Sequence, residues 1–186
     1  EGAQYEKGLT NRHFITNAEN QSAELENPLV LLVESKIDSI RQIQTVLEYV
    51  IKNNKPLLII GDLEQGVLSA LAMNKMKGNI KINVIDAPTY GINKKQTLDD
   101  LSLLTGATIV NEDLGDDMDL IQVEYLGSCL KSVTSHSETI LQVADTSNEV
   151  KEVIHSIKTK LQQDNPSHEV IKLEKRLAML AAKIAV

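Results

Sequence analysis

Four short apolar runs recur along the chain, and the first three are each followed by a stretch with helical periodicity. The runs are PLVLLVES (28–35), KPLLIIGD (55–62), NIKINVIDAP (79–88) and ATIVNED (107–113). Between them lie DSIRQIQTVLEYVIKNN (38–54), the segment 63–76 and NKKQTLDDLSLLTG (93–106). The first two, short runs of Leu, Ile and Val, read as buried strands, the third reads as a strand that alternates at first, and the fourth as a further strand. Strand and helix alternating through short links are the signature of a parallel α/β sheet with crossover helices. The punctuation agrees. Asp38 is the expected N-cap of the first helix and Asn53-Asn54 its stop. Gly78 ends the second helix, Pro88 stops the third strand, and Gly106 stands just past the third helix.

The flanks read differently. Residues 1–28, rich in Asn and Glu, are expected to be irregular or extended. After residue 114 the alternation ceases. A short helix fits within 116–122, and LGSCLKSVTSHSETILQVAD (126–145) reads as a β-hairpin region. A helix is expected from Ser147 to about Gln163, broken by Pro166, with Ser167 capping a last helix. The expected architecture is thus a parallel-sheet core with flanking helices, an added hairpin region and C-terminal helices, in a single domain over 1–186.

Composition excludes several functions. A formal net charge of -7 disfavours a nucleic-acid partner, which needs a basic face. No apolar run approaches the length of a membrane span. With no Trp and one Phe, the core is expected to be aliphatic. The single cysteine, Cys129, reads as a small buried hydrophobe in a reducing compartment. The Asn20-Gln21-Ser22 sequon is then without consequence. The chain opens at Glu1 without a signal-peptide pattern and reads as a piece of something longer.

Two of the helices carry more apolar surface than a sheet can cover. In the first, Ile40, Ile43, Val46, Leu47, Val50 and Ile51 spread over about half of the helical circumference, where a stripe of about 100° suffices. In the second, QGVLSALAMN (65–74) contains no charge. Val67 and Leu71 share one side, Leu68 and Ala72 point about 100° away, and Met73 and Met76 widen the arc. Either another element of the domain covers the second face, or the two helices leave an apolar groove at the surface. Such a groove marks a partner site, and Met suits varied contacts.

Chemistry is sparse. Gly61-Asp62 stands at a strand end, where α/β folds often bind ligands, but neither phosphate-binding glycine motif is present. His13, His136, His155 and His168 make no metal-ligand spacing with one another or with Cys129. The acidic EDLGDDMD (112–119) lacks calcium-loop spacing. KSVTSHSET offers hydroxyls and a histidine without the turn that exposes a nucleophile. No catalytic constellation assembles, so a hydrolase-like reading is the weakest. A small-ligand domain using Gly61-Asp62 is the alternative to a polypeptide-binding module.

Five motifs in register identify a resemblance. EGAQYEKG (1–8), KPLLIIGDLEQGVLSALAMNKMKG, DAPTYG, LDDLSLLTGATIVNEDLG and LEKRLAMLAAKIAV are together similar to the apical domain of group I chaperonins, the GroEL family, over essentially the whole chain. The resemblance implies the chaperonin apical-domain fold, a swivelling β/α/β domain. It implies that the two greasy helices bind non-native polypeptides and the co-chaperonin lid through an apolar groove. The family's binding positions fall on Leu9, His13, Phe14, Gln44, Leu47, Leu68, Ala72 and Met73. Here Leu9 and His13 replace tyrosines, Gln44 replaces a Leu, and Ala72 and Met73 stand where the family has Val. The hinge to the rest of the chaperonin falls on Gly2, Ala182 and Lys183, the last two replacing a glycine pair. The basic stretch after the family's glycine turn becomes Ile92-Asn93-Lys94-Lys95.

The resemblance further implies that the segment is no enzyme and has no cofactor or metal of its own. ATP and Mg belong to the full-length protein, whose nucleotide site lies in another domain. The parent is expected to be a double heptameric ring and the segment alone a monomer. The expected compartment is the bacterial cytoplasm, with an organelle matrix second.

Overall fold

The computed structural model describes residues 3–88, 91–112, 115, 120–143 and 148–181. In chain order the strands are β1 (Ala3–Tyr5), β2 (Ala23–Glu26), β3 (Leu29–Leu32), β4 (Leu57–Ile60), β5 (Ile82–Ile85), β6 (Gly127–Ser128), β7 (Lys131–Thr134) and β8 (Thr139–Gln142). The helices are α1 (Gln44–Lys52), α2 (Gln65–Met76), α3 (Gly91–Thr105), α4 (Asn148–Leu161) and α5 (Ser167–Ala181).

The first three apolar runs form the expected parallel sheet, in the order β5-β4-β3. Leu29 lies opposite Leu57, and Leu57 opposite Ile82. Because side chains alternate across a strand, these strands feed two separate cores. Leu31, Val33, Leu57, Ile59, Ile82 and Val84 face α1 and α2. Val30, Leu32, Leu58, Ile60 and Ile85 face α3, α4 and α5. The handedness rule explains the split. Strands laid down successively in one direction, joined by right-handed crossovers, place both connecting helices on one face. The chain then crosses over, and α3 packs beneath β3 and β6 on the other face.

The fourth apolar run does not become a strand. Among the described residues of 107–113, only Val110 pairs with the sheet, through a parallel bridge to Val33. The edge beside β3 is taken instead by β6, running antiparallel, with Gly127 opposite Val30. Gly127 permits this arrangement. A Cβ there would stand 2.3 Å from the Ala107 nitrogen, so glycine lets the start of the run cross close to β6 before Val110 meets the end of β3 at Val33.

The N-terminal segment holds more regular structure than its composition suggests. β1 and β2 are the two edges of a second, antiparallel sheet, in the order β1-β8-β7-β2. The expected hairpin supplies its centre, with Thr134 opposite Thr139. A polar chain ties the two sheets together. Asn83 Nδ2 donates to Thr134 Oγ1 at 2.9 Å, and Thr139 Oγ1 donates to the Lys7 carbonyl at 2.8 Å. With the Thr139 proton so used, Thr134 is the donor in the 3.0 Å contact between the two hydroxyls.

Local signals need two corrections: Ser167 is the first residue of α5 and not its cap, because the amides of Glu169 and Val170 bond back to the Pro166 carbonyl, and the first helix is capped one residue later than expected. Ser39, not Asp38, caps the first helix. Its side chain accepts from Arg41 N, while Gln42 Oε1 accepts from the amides of Asp38 and Ser39. This reciprocal box opens a 3-10 turn, Ile40–Ile43, that runs into α1. Asn54 follows α1 at φ 51, Gly78 follows α2 at φ 78, and Gly106 follows α3 at φ 76, the left-handed conformation expected past a helix end. Of the short helix expected in 116–122, residues 116–119 lie outside the described residues. Beyond it, Val123–Tyr125 form a 3-10 turn.

Candidate functional site: the α1 and α2 surface

The extra grease on α2 has two fates. Val67 and Leu71 meet the sheet-facing core, and Leu68 and Ala72 are buried in the same cluster. The covering element is the 3-10 turn Arg12–Phe14, which packs on α2 and brings Phe14 into full burial. Lys75 Nζ fastens this cover by donating to the Ile15 carbonyl at 3.0 Å. Leu68 is therefore only 9% exposed, which corrects the expectation that it lines an open groove. Phe14 and Ala72 are likewise core residues. A second element of the same domain thus does cover that face.

The coverage stops short of the outer arc. Met73 is 57% exposed and Met76 62%, three residues apart and so on one side of the helix. Ile43, at the end of the 3-10 turn, and Val46 and Val50 on α1 are buried, with Leu47 half-buried against them. Tyr49 is 42% exposed and Ile51 52%. Gln44 is exposed, and its amide donates to Glu48 Oε1 at 3.1 Å, one helical turn on. Leu9 and His13 are half-buried beside the covering turn. Of the eight residues carried by the resemblance, the structure leaves Gln44 and Met73 exposed. Gly2, Ala182 and Lys183 lie outside the described residues.

Met76 and Ile51 were visible on the helical wheel but matched no family position. Tyr49 carried no signal, because an aromatic in an amphipathic helix reads as core. Also invisible was a surface depression of about 250 Å3 between the covering turn and the β7–β8 turn, with Arg12 and His136 among its walls. Its residues come from distant parts of the chain.

The strand end at Gly61-Asp62 is closed by its own backbone. Ile37 N donates to Asp62 O at 2.9 Å, Glu64 N to Ile37 O at 2.8 Å, and Gly61 N to Ile85 O at 3.1 Å. A Cβ on Gly61 would touch Val33 at 3.4 Å. The α2 N-terminus, the natural anion site, is occupied by the carboxylate of Glu64, which accepts from Gly66 N at 2.9 Å. These bonds engage the backbone groups that a small ligand at this strand end would need.

Titratable groups inside the fold serve packing. Asp100, on α3, is 1% exposed. It accepts from Arg176 on α5 through Nε at 2.8 Å and Nη2 at 3.0 Å. Burial raises the Asp100 carboxyl above its ordinary range, against the opposing pull of Arg176 and Gln96. Burial likewise pushes the Cys129 thiol up to about 12, so the thiol is inert, as a buried cysteine should be. It also raises the Tyr5 hydroxyl, with the nearby Asp86 charge adding to the effect. Among the described residues no three of His, Cys, Asp and Glu gather as a metal site. No helix of the described residues is long and apolar enough to cross a membrane.

Comparison with known proteins gives two close relatives in Cucurbita maxima. The chain is 37% identical over 188 residues to "Chaperonin CPN60-2, mitochondrial" and 37% identical over 188 residues to "Chaperonin CPN60-1, mitochondrial". Each alignment covers 100% of this chain and 33% of the relative. The chain thus spans about a third of the length of the curated relatives it matches. No protein-family model matches it.

Proposed function

We propose that this chain, related to chaperonins along its whole length, is the polypeptide-binding apical domain of such a protein. Its role is to hold non-native chains by apolar contact while the parent assists their folding. The observation that carries this reading is the placement of exposed apolar side chains. Seven large hydrophobic residues are exposed among the described residues, and four of them, Tyr49, Ile51, Met73 and Met76, sit on α1 and α2. Met73 and Met76, one helical turn apart on α2, stay in water while the same helix buries Val67 and Leu71, which supports a contact surface rather than unfinished packing.

The same surface is proposed to meet the co-chaperonin lid. No chemistry is assigned to this segment. ATP and Mg are proposed to act in the parent, outside these 186 residues, within a double heptameric ring, and the segment alone is proposed to be monomeric. The mitochondrial names of the two relatives support an organelle matrix over the bacterial cytoplasm as its compartment.

The test is titration of the chain with one reduced, permanently unfolded client at fixed salt. Met73→Ser with Met76→Ser should weaken binding by about tenfold, since losing part of two Met contacts amounts to more than 1.4 kcal/mol. Ile171→Ser, on the exposed face of α5, serves as the control and should change nothing. Equal weakening by both, or by neither, overturns the proposal.

A further inference from the structure

We infer that the depression beside the Arg12–Phe14 turn is a carboxylate subsite, suited to a carboxylate borne on a short apolar group. The inference rests on the polypeptide-binding reading and names a client feature: an acidic group next to an apolar side chain.

The lining presents donors and almost no competing acceptor charge. Arg12 is exposed at its rim, and among the described residues its guanidinium has no carboxylate in ion-pair range. No Asp or Glu lines the depression. Asn11 Oδ1 already accepts from His13 N at 2.8 Å, which leaves the Asn11 amide NH2 as its free end. The Thr10 hydroxyl is spent on the Val84 carbonyl at 2.7 Å. The His136 imidazole supplies a further polar group, and Leu9 and Ile15 supply apolar wall. Gln21 Nε2 is spent on the Ala18 carbonyl, so that side chain offers only its neutral amide oxygen; one permanent cation with the Asn11 amide and apolar wall still fits a monovalent oxyanion with an apolar body. Guanidinium pairs with carboxylate through two parallel hydrogen bonds. In a chain of net charge -7, an unopposed cationic lining is a local departure from the overall field.

The walls are held before any ligand arrives. Leu9 N donates to the Ser135 carbonyl at 3.0 Å. Position 8 is glycine because a Cβ there would stand 2.2 Å from the His136 carbonyl oxygen, so the N-terminal segment lies directly on the β7–β8 turn. The Lys75 bond fixes Ile15 from the other side. A preformed site loses less conformational freedom on binding.

The probe is 4-phenylbutyrate, with its neutral amide as reference, titrated into the isotope-labelled chain by NMR at fixed salt. Amide shifts should map to residues 9–15 and His136. The carboxylate should bind about three- to tenfold tighter than the amide. Arg12→Gln should abolish that difference, and His136→Ala should reduce it. Two blocked tripeptides, Leu-Glu-Phe and Leu-Gln-Phe, and the second with a free C-terminus, distinguish a side-chain carboxylate from a chain end. Equal affinity for acid and amide, shifts elsewhere, or indifference to Arg12→Gln overturns the subsite. Inorganic phosphate competing as well as phenylbutyrate overturns the apolar part of the assignment. Capture of an unfolded client is measured on the same sample. Capture without acid preference sinks the subsite alone. Acid preference without capture sinks the polypeptide-binding reading and, with it, the client role given to the subsite.

Discussion

Leu68 and Met73 stand five residues apart on one helix and should respond to truncation in opposite ways. Leu68 is 9% exposed and sits in the cluster with Phe14, Val67 and Leu71. Leu68→Ala removes methyl groups from beneath the covering turn, and the Lys75 anchor hinders that turn from closing the gap. Buried Leu→Ala changes cost about 2–5 kcal/mol, a large share of the roughly 5–15 kcal/mol that holds a domain folded. Met73 is 57% exposed. Burying a whole Met side chain contributes about 1.5–3 kcal/mol, so the covered fraction here amounts to about 1 kcal/mol, and the better helix propensity of Ala offsets part of it. Urea unfolding followed by circular dichroism reads the difference. With a slope of about 1–3 kcal/mol per molar urea, Leu68→Ala should lower the midpoint by about 1 M or more. Met73→Ala should leave it within a few tenths. Client affinity should show the reverse order when measured at a temperature where both variants are folded. Equal midpoint shifts for the two variants would refute the reasoning, because they would mean that the Arg12–Phe14 turn does not separate a buried arc of α2 from an open one.

Gln44→Leu should strengthen binding of the unfolded client by about three- to tenfold, since an exposed amide held by Glu48 must be desolvated when an apolar segment docks; titration at fixed salt checks it. Ala72→Val should not add to that gain, because Ala72 is buried; overpacking should instead cost about 1–3 kcal/mol in urea unfolding. Asp100 titrates higher in the fold than in the unfolded chain. Its contribution is therefore fully present below the unfolded carboxyl range and lost as pH rises through the folded pKa. The stability gap between the parent chain and Asp100→Asn should accordingly narrow as pH is raised from about 3 to about 7 in paired unfolding curves, and a widening gap would contradict burial as the dominant cause. With its thiol pushed up to about 12, Cys129 should resist a thiol reagent at about pH 8 in the native chain and react fully in urea.

The parallel core was legible in the sequence because a strand buried on both faces has no alternative to a continuous apolar run. LVLL and LLII are such runs and INVI departs from one only at Asn83, whose amide is bonded to Thr134; all but Leu29 are buried. The helix ends were legible for a similar reason, since Gly78 and Gly106 adopt a backbone conformation that other residues resist. ATIVNED had the composition of a strand and lost its place to Gly127–Ser128, an arrangement permitted by a close crossing at glycine between segments far apart in the chain. Residues 1–28 looked irregular because β1 and β2 are short and their partners lie beyond residue 130. The candidate surface divides along the same line. An excess of apolar side chains on α1 and α2 is a property of the helical period and can be counted in the sequence. Which of them stay in water is not, because the Arg12–Phe14 turn reaches α2 only after the chain has folded back across the sheet. That contact buries Leu68, Ala72 and Phe14 and leaves Met73 and Met76 outside. Periodicity determines what a helix has to hide, and the tertiary fold, through contacts between segments distant in sequence, decides what remains exposed.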